Sequence, residues 1–69
     1  MPTFSIYSEI KNAEINNERI LIKLYDQSVM KGRAEKSLDK ERFKVRTHEG
    51  AVWIPYTDVM NVIRLVEFN

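Results

Sequence analysis

Residues 42–56 read "RFKVRTHEGAVWIPY". The first six alternate strictly. Phe43, Val45 and Thr47 point one way, and Arg42, Lys44 and Arg46 the other, which is the two-residue period of a strand with one buried face. "HEG" at His48–Gly50 reads as a short hairpin loop, with Gly50 suited to a left-handed position. Residues 51–56, "AVWIPY", return as the partner strand, with Val52, Ile54 and Tyr56 on one face. If the two apolar faces meet, Trp53 is sent outward beside the three cations. Pro55 has no N–H to give to a ladder, so the strand ends there or lies at a sheet edge.

Working outward, "TDVMN" at 57–61 fits one short turn of helix, capped by Thr57 or Asp58. "VIRLVEF" at 62–68 then reads as a last strand, with Val62, Arg64, Val66 and Phe68 on one face and Ile63, Leu65 and Glu67 on the other. Upstream, "RILIKLY" at 19–25 alternates, with Ile20, Ile22 and Leu24 together. "VMKGRAEKS" at 29–37 places Met30, Gly32 and Ala34 on one small, inward face. A glycine inside a strand marks a bend or bulge, and in a tiny barrel it lets one strand serve two sheets. "NNE", "DQS" and "LDKE" read as turns. In "FSIYSEIKNAE" at 4–14, Ile6, Ile10 and Ala13 recur at helical spacing, with Ser5 or Thr3 as cap, although Phe4 and Ile6 also alternate. A short helix from about Ser5 to Ala13 is the expectation, with a strand as the alternative.

Five short strands joined by short connections, with a helical turn before the last, point to a mainly β fold. The expected architecture is a five-stranded SH3-like or Sm-like small barrel with a short N-terminal helix. The 69 residues form one domain, 1–69. A chain of this size buries only about 60% of its unfolded surface, so its core is lean. With no cysteine, disulfides and thiolate-held zinc are excluded, and apolar packing carries stability. "MPTFSIYSEIK" has neither a basic start nor an apolar run, and no stretch approaches the roughly 20 apolar residues of a membrane span. A cytoplasmic protein without a membrane partner is expected. Eleven Lys and Arg against ten Asp and Glu leave a net charge of +1, too little for global attraction to nucleic acid.

No residue pattern indicates catalysis. His48 is the single histidine, and one His-Glu pair in a loop is more simply an exposed turn than a metal site. Neither glycine belongs to a phosphate-cradling loop, and no cofactor is implied. Arg42, Lys44, Arg46 and Trp53 are the candidate contact residues. A solvated strand face is their plainest account. A protein-binding surface centred on Trp53 is the first functional reading, since tryptophan is enriched at interface hot spots. Stacking a base and holding phosphates is the second.

Residues 20–64 also carry a resemblance. "ILIKLYDQSVMKGRAEKSLDKERFKVRT" followed by "VWIPYTDVMNVI" is similar to the C-terminal half of the YolD-like family of bacterial and phage proteins. In that family an I-x-Y strand leads to a G-x-I strand, an alternating strand, and a segment like "IPFDDIIDI". Ile54, Pro55, Tyr56, Asp58, Val59 and Ile63 stand at those places. The resemblance implies a non-enzymatic accessory protein, in a family with some members associated with DNA-damage responses and translesion polymerases. The pattern more distantly resembles Sm-like barrels, which bind RNA or single-stranded DNA as oligomers. In those barrels a last strand, here Val62 to Phe68, pairs with a neighbouring subunit. The Sm nucleotide-binding motifs are not recognisable, and no RNA-binding residue is carried over.

Overall fold

The computed structural model describes the backbone of residues 2–65 and the side chains of residues 6–65. A helix, α1 (Pro2–Asn16), precedes five strands: β1 (Arg19–Leu24), β2 (Val29–Glu35), β3 (Arg42–Thr47), β4 (Gly50–Pro55) and β5 (Val59–Leu65). A 3₁₀ turn, Tyr56–Asp58, joins the last two. The strands form one antiparallel sheet in the order β4-β3-β2-β1-β5. The fold is the mainly β one expected. β4 and β5 are its two edges, brought together at one corner by the 3₁₀ turn.

The sheet coils around a core of Ile10, Ala13, Ile20, Ile22, Ala34, Phe43, Val45, Ile54, Tyr56 and Val59. Every strand supplies at least one of these, and α1 closes the cup with Ile10 and Ala13. The hairpin pairs as its alternation demands. Phe43 faces Ile54, Val45 faces Val52, and Lys44 faces Trp53 on the opposite side of the sheet. Its loop is tighter than the three residues read from "HEG". Thr47 pairs with Gly50, which has φ +124°, so the loop is His48–Glu49 alone.

The helix extends past Ala13 to Asn16, because its end is closed by backbone geometry. Asn17 takes φ +56°, its N–H donates to the Glu14 carbonyl, and the Glu18 N–H donates to Ala13 at 2.8 Å. This pair of hydrogen bonds is a Schellman closure with asparagine in the left-handed position that glycine usually fills. The proposed caps Thr3 and Ser5 lie outside the described side chains, and Val66 to Phe68 lie outside the described residues.

Two local readings are corrected. The helical turn is shorter and earlier than 57–61. It starts at Tyr56, straight after Pro55 at φ −63°, and no side chain caps it, so neither Thr57 nor Asp58 has that role. The Asp58 carbonyl instead accepts the Tyr25 N–H at 3.0 Å. The last strand begins at Val59, not Val62. Lys23 pairs with Asn61 and Leu24 with Val59, so Met60 is an extra residue, a bulge. The bulge lets Val59 and Val62 both turn inward although three positions separate them.

Gly32 is the pivot of β2. Val29 to Arg33 pair with β1, while Arg33 to Glu35 pair with β3. One strand thus serves both halves of the sheet. A Cβ at Gly32 would lie 2.5 Å from the Arg46 carbonyl oxygen and 2.5 Å from Val45 Cγ1. Only glycine allows β3 to approach this closely. Gly32→Ala is therefore expected to destabilise the protein by about 1–3 kcal/mol, the usual range for overpacking, read as a lowered midpoint in urea denaturation.

α1 and the short connection after it are also tied to β5 by charge. Arg64 points to the helix side of the sheet, where its Nε donates to Glu18 Oε1 at 2.6 Å and its Nη2 to Glu18 Oε2 at 3.0 Å. Glu9 approaches at 3.5 Å. The Arg64 hydrogen bonds hold Glu18 below the usual carboxylate range, against a smaller opposing effect of desolvation. Asp26, Glu35 and Asp39 are lowered as well, by hydrogen bonds from Ser28, Arg46 and the Glu41 N–H respectively. A depressed carboxylate stabilises the fold above its unfolded pKa, and that contribution is lost as pH falls through the folded value. Thermal melts are thus expected to show a flat midpoint near neutrality and a decline below about pH 5, with a shallower decline in Glu18→Gln.

Candidate functional site

Alternation along each strand sorts side chains between the core and an outer sheet face. Arg19 and Lys23 on β1, Lys31 and Arg33 on β2, and Arg42, Lys44 and Arg46 on β3 all take outer positions. These seven come from a total of eleven Lys and Arg. Among the described residues, Glu35 is the only acid on a strand. The other described acids sit on α1 or in connections. A chain that is nearly neutral overall therefore carries a cationic sheet face, which composition alone hides.

Trp53 stands on that face, 47% exposed, on edge strand β4. The Lys44 ammonium lies over its ring, 5.7 Å from the centroid. The two are direct cross-strand neighbours, so the contact follows from register. Ala51 and Pro55 flank Trp53 on the same side of β4 and leave its ring surface accessible. The structure thus sets Lys44 against Trp53 and places Arg42 and Arg46 on the same sheet face.

The stripe is less free than its sequence implies. Glu35 accepts from Arg46 through Nε at 3.0 Å and Nη2 at 3.2 Å, and also meets Lys44 Nζ at 3.5 Å. Arg42 binds Asp39 at 3.0 Å, and the Asp39 carboxylate also accepts the N–H groups of Glu41 and Arg42. Arg42 is thereby turned toward the β2–β3 connection and takes the smallest part in the surface around Trp53. These pairs are exposed, and such pairs contribute little to stability, so they orient the cations more than they hold the fold.

Sequence reasoning missed the β1 and β2 cations. Arg19 pairs with Arg33 in register, and Arg33 with Arg46. Three arginines from three strands therefore form one cross-strand row. Nothing local announces this, because it depends on which strands neighbour each other. His48 is exposed in the hairpin turn, beside the end of that row. Among the described residues, no three His, Cys, Asp or Glu side chains are placed to hold a metal ion. Among the described residues, no helix is long and apolar enough to cross a membrane.

On the helix side, Tyr56 packs against Phe43 and Tyr7 with ring centroids 5.2 and 4.9 Å apart. Burial pushes its hydroxyl pKa up, against a smaller opposing effect of the nearby Lys11 ammonium. This cluster belongs to the core, not to the outer face.

Compared with known proteins, the chain matches no family model and no curated protein.

The outer face makes a direct prediction for the single tryptophan. Iodide is expected to quench Trp53 fluorescence more strongly than caesium does, because the surrounding cations concentrate anions. The difference is expected to collapse at about 1 M salt, where screening acts within about 3 Å. Equal quenching at low salt would show that the face is not cationic around Trp53.

Proposed function

We propose that this chain is a non-enzymatic small-barrel interaction module that binds an acidic surface on a protein partner. The carrying observation is the exposed Trp53 set among outward cations on a sheet whose single strand acid, among the described residues, is Glu35. An exposed tryptophan with a broad ring supplies an anchor at little conformational cost, and the ring of charge supplies orientation and on-rate. The pairs to Glu35 and Asp39 hold Lys44, Arg46 and Arg42 in set positions before a partner arrives.

The resemblance to the YolD-like family supports this reading. It covers the strands and the 3₁₀ turn that place Trp53 and implies an accessory or regulatory role of bacterial or phage type in the cytoplasm. Nucleic-acid binding is the second reading, and the sorting of charge onto one face favours it. That sorting removes the objection raised by the near-zero net charge.

Trp53→Ala tests the first reading. The side chain is half exposed and lies outside the core, so the variant is expected to melt within about 1 kcal/mol of the parent. Capture of a specific partner from nuclease-treated extract, identified and then reconstituted with purified protein, is expected to be lost. Undiminished affinity of the variant for that purified partner would refute the reading.

A further inference from the structure

The ladder between β2 and β3 begins at Arg33 and Arg46. Before that point Lys31 and Gly32 pair with β1 only, while Thr47 and His48 continue into the hairpin turn. The two strands splay apart, and a cleft of about 430 Å³ opens between them. Its lining is Arg19, Lys31, Gly32, Arg33, Arg46, Thr47 and His48, which includes four cations and no acid. Gly32 lies against the Arg46 carbonyl and Val45 at the closed end of the cleft, where no side chain would fit.

We propose that this cleft binds the phosphate backbone of a single-stranded nucleic acid, whose next unpaired base stacks on Trp53. The proposal goes beyond the protein-partner reading and shares with it only the outer face.

Three observations carry it. First, arginines directly opposite one another repel, and the Arg19–Arg33–Arg46 row places three of them in register. Arg33 is turned by one hydrogen bond, 2.7 Å from Nη1 to the Asn17 carbonyl, and Arg46 by Glu35. Both retain guanidinium donors beyond those bonds, and such donors match phosphate oxygens in forked geometry. Second, the Lys31 side chain makes no hydrogen bond or ion pair among the described residues and stands beside the row. Third, the row does not end at the cleft. Arg46 and Lys44 are two residues apart on β3, a rise of about 7 Å, and Lys44 leads to Trp53. Phosphate-holding cations followed by an exposed aromatic ring form the general arrangement for single strands, because only unpaired bases offer a face for stacking. The cleft is open to the face rather than enclosing, which suits a passing backbone better than a small metabolite.

The test uses the purified full chain and an oligothymidine of about ten nucleotides at low salt, the length scale of one small binding domain. Amide resonances of residues 31–33 and 46–48 and the Trp53 indole are expected to shift together, with quenching of Trp53 fluorescence. Lys31→Glu combined with Arg33→Gln is expected to weaken binding at least tenfold. Losing two phosphate contacts is expected to flatten the slope of log affinity against log salt by about 1.4. If the double variant melts early, Lys31→Glu alone decides, since that side chain holds nothing in the fold.

Shifts confined to other residues, or parental affinity in Lys31→Glu, would overturn the proposal. Saturation by inorganic phosphate at the same affinity per phosphate would also overturn it and leave a simple anion site. Equal binding of polyglutamate, indifferent to Trp53→Ala, would replace the nucleic acid by an acidic peptide. Apart from the polyglutamate arm, these outcomes leave partner capture from nuclease-treated extract untouched, so the two readings fail separately.

Discussion

The register of the β3–β4 hairpin is the constraint on which the outer face depends. Phe43 opposite Ile54 and Val45 opposite Val52 bury four apolar side chains toward the core. The same register leaves Lys44 opposite Trp53 in solvent. Because strand side chains alternate with a period of two, a slip by one residue would bring the cations and the tryptophan inward. That exchange is prohibitive, since unpaired buried charge costs far more than exposed apolar surface. The core therefore enforces the surface. Trp53 is outside because Ile54 and Val52 are needed inside.

The second half of the sheet is coupled to the first through Gly32. In this single five-stranded sheet β2 pairs with β1 along one part and with β3 along another. The close approach of the Arg46 carbonyl at Gly32 brings β2 and β3 together at the end of their ladder. Immediately beyond, they diverge. The cleft between β2 and β3 is the geometric consequence of that switch, and the arginine row is what the switch brings to its rim. Structural necessity and binding potential meet at the same residue.

Charge on this molecule is sorted by element. The strands carry cations outward, while the described acids, apart from Glu35, lie on α1 and in the connections. Arg64 is the instructive exception. It faces inward from β5, at the rim of the core, and is satisfied by Glu18 and Glu9, so it ties the helix end to the sheet edge. A cation on the inner side thus serves cohesion. On the outer side Lys44, Arg46 and Arg42 are oriented by exposed pairs to Glu35 and Asp39 and still face solvent, where an anionic partner can meet them.

Much of this was legible along the chain. The alternation in 42–56 named the hairpin, its inward residues and the outward placement of Trp53, because a half-buried strand writes its two faces directly into sequence. Ile20, Ile22 and Leu24 did the same for β1, and Gly32 marked the bend in β2. The bulge at Met60 was hidden, since an extra residue breaks the alternation by which strands are recognised. The helix end at Asn17 was hidden as well, because asparagine takes the left-handed position without announcing it. Above all, the Arg19–Arg33–Arg46 row was invisible in the chain. Those residues are fourteen and thirteen positions apart, and only the pairing of β1 with β2 and of β2 with β3 makes them neighbours. Local periodicity determined which way each side chain points. Tertiary pairing alone decided which charges stand together, because a sheet joins residues across hydrogen-bonded ladders rather than along the chain.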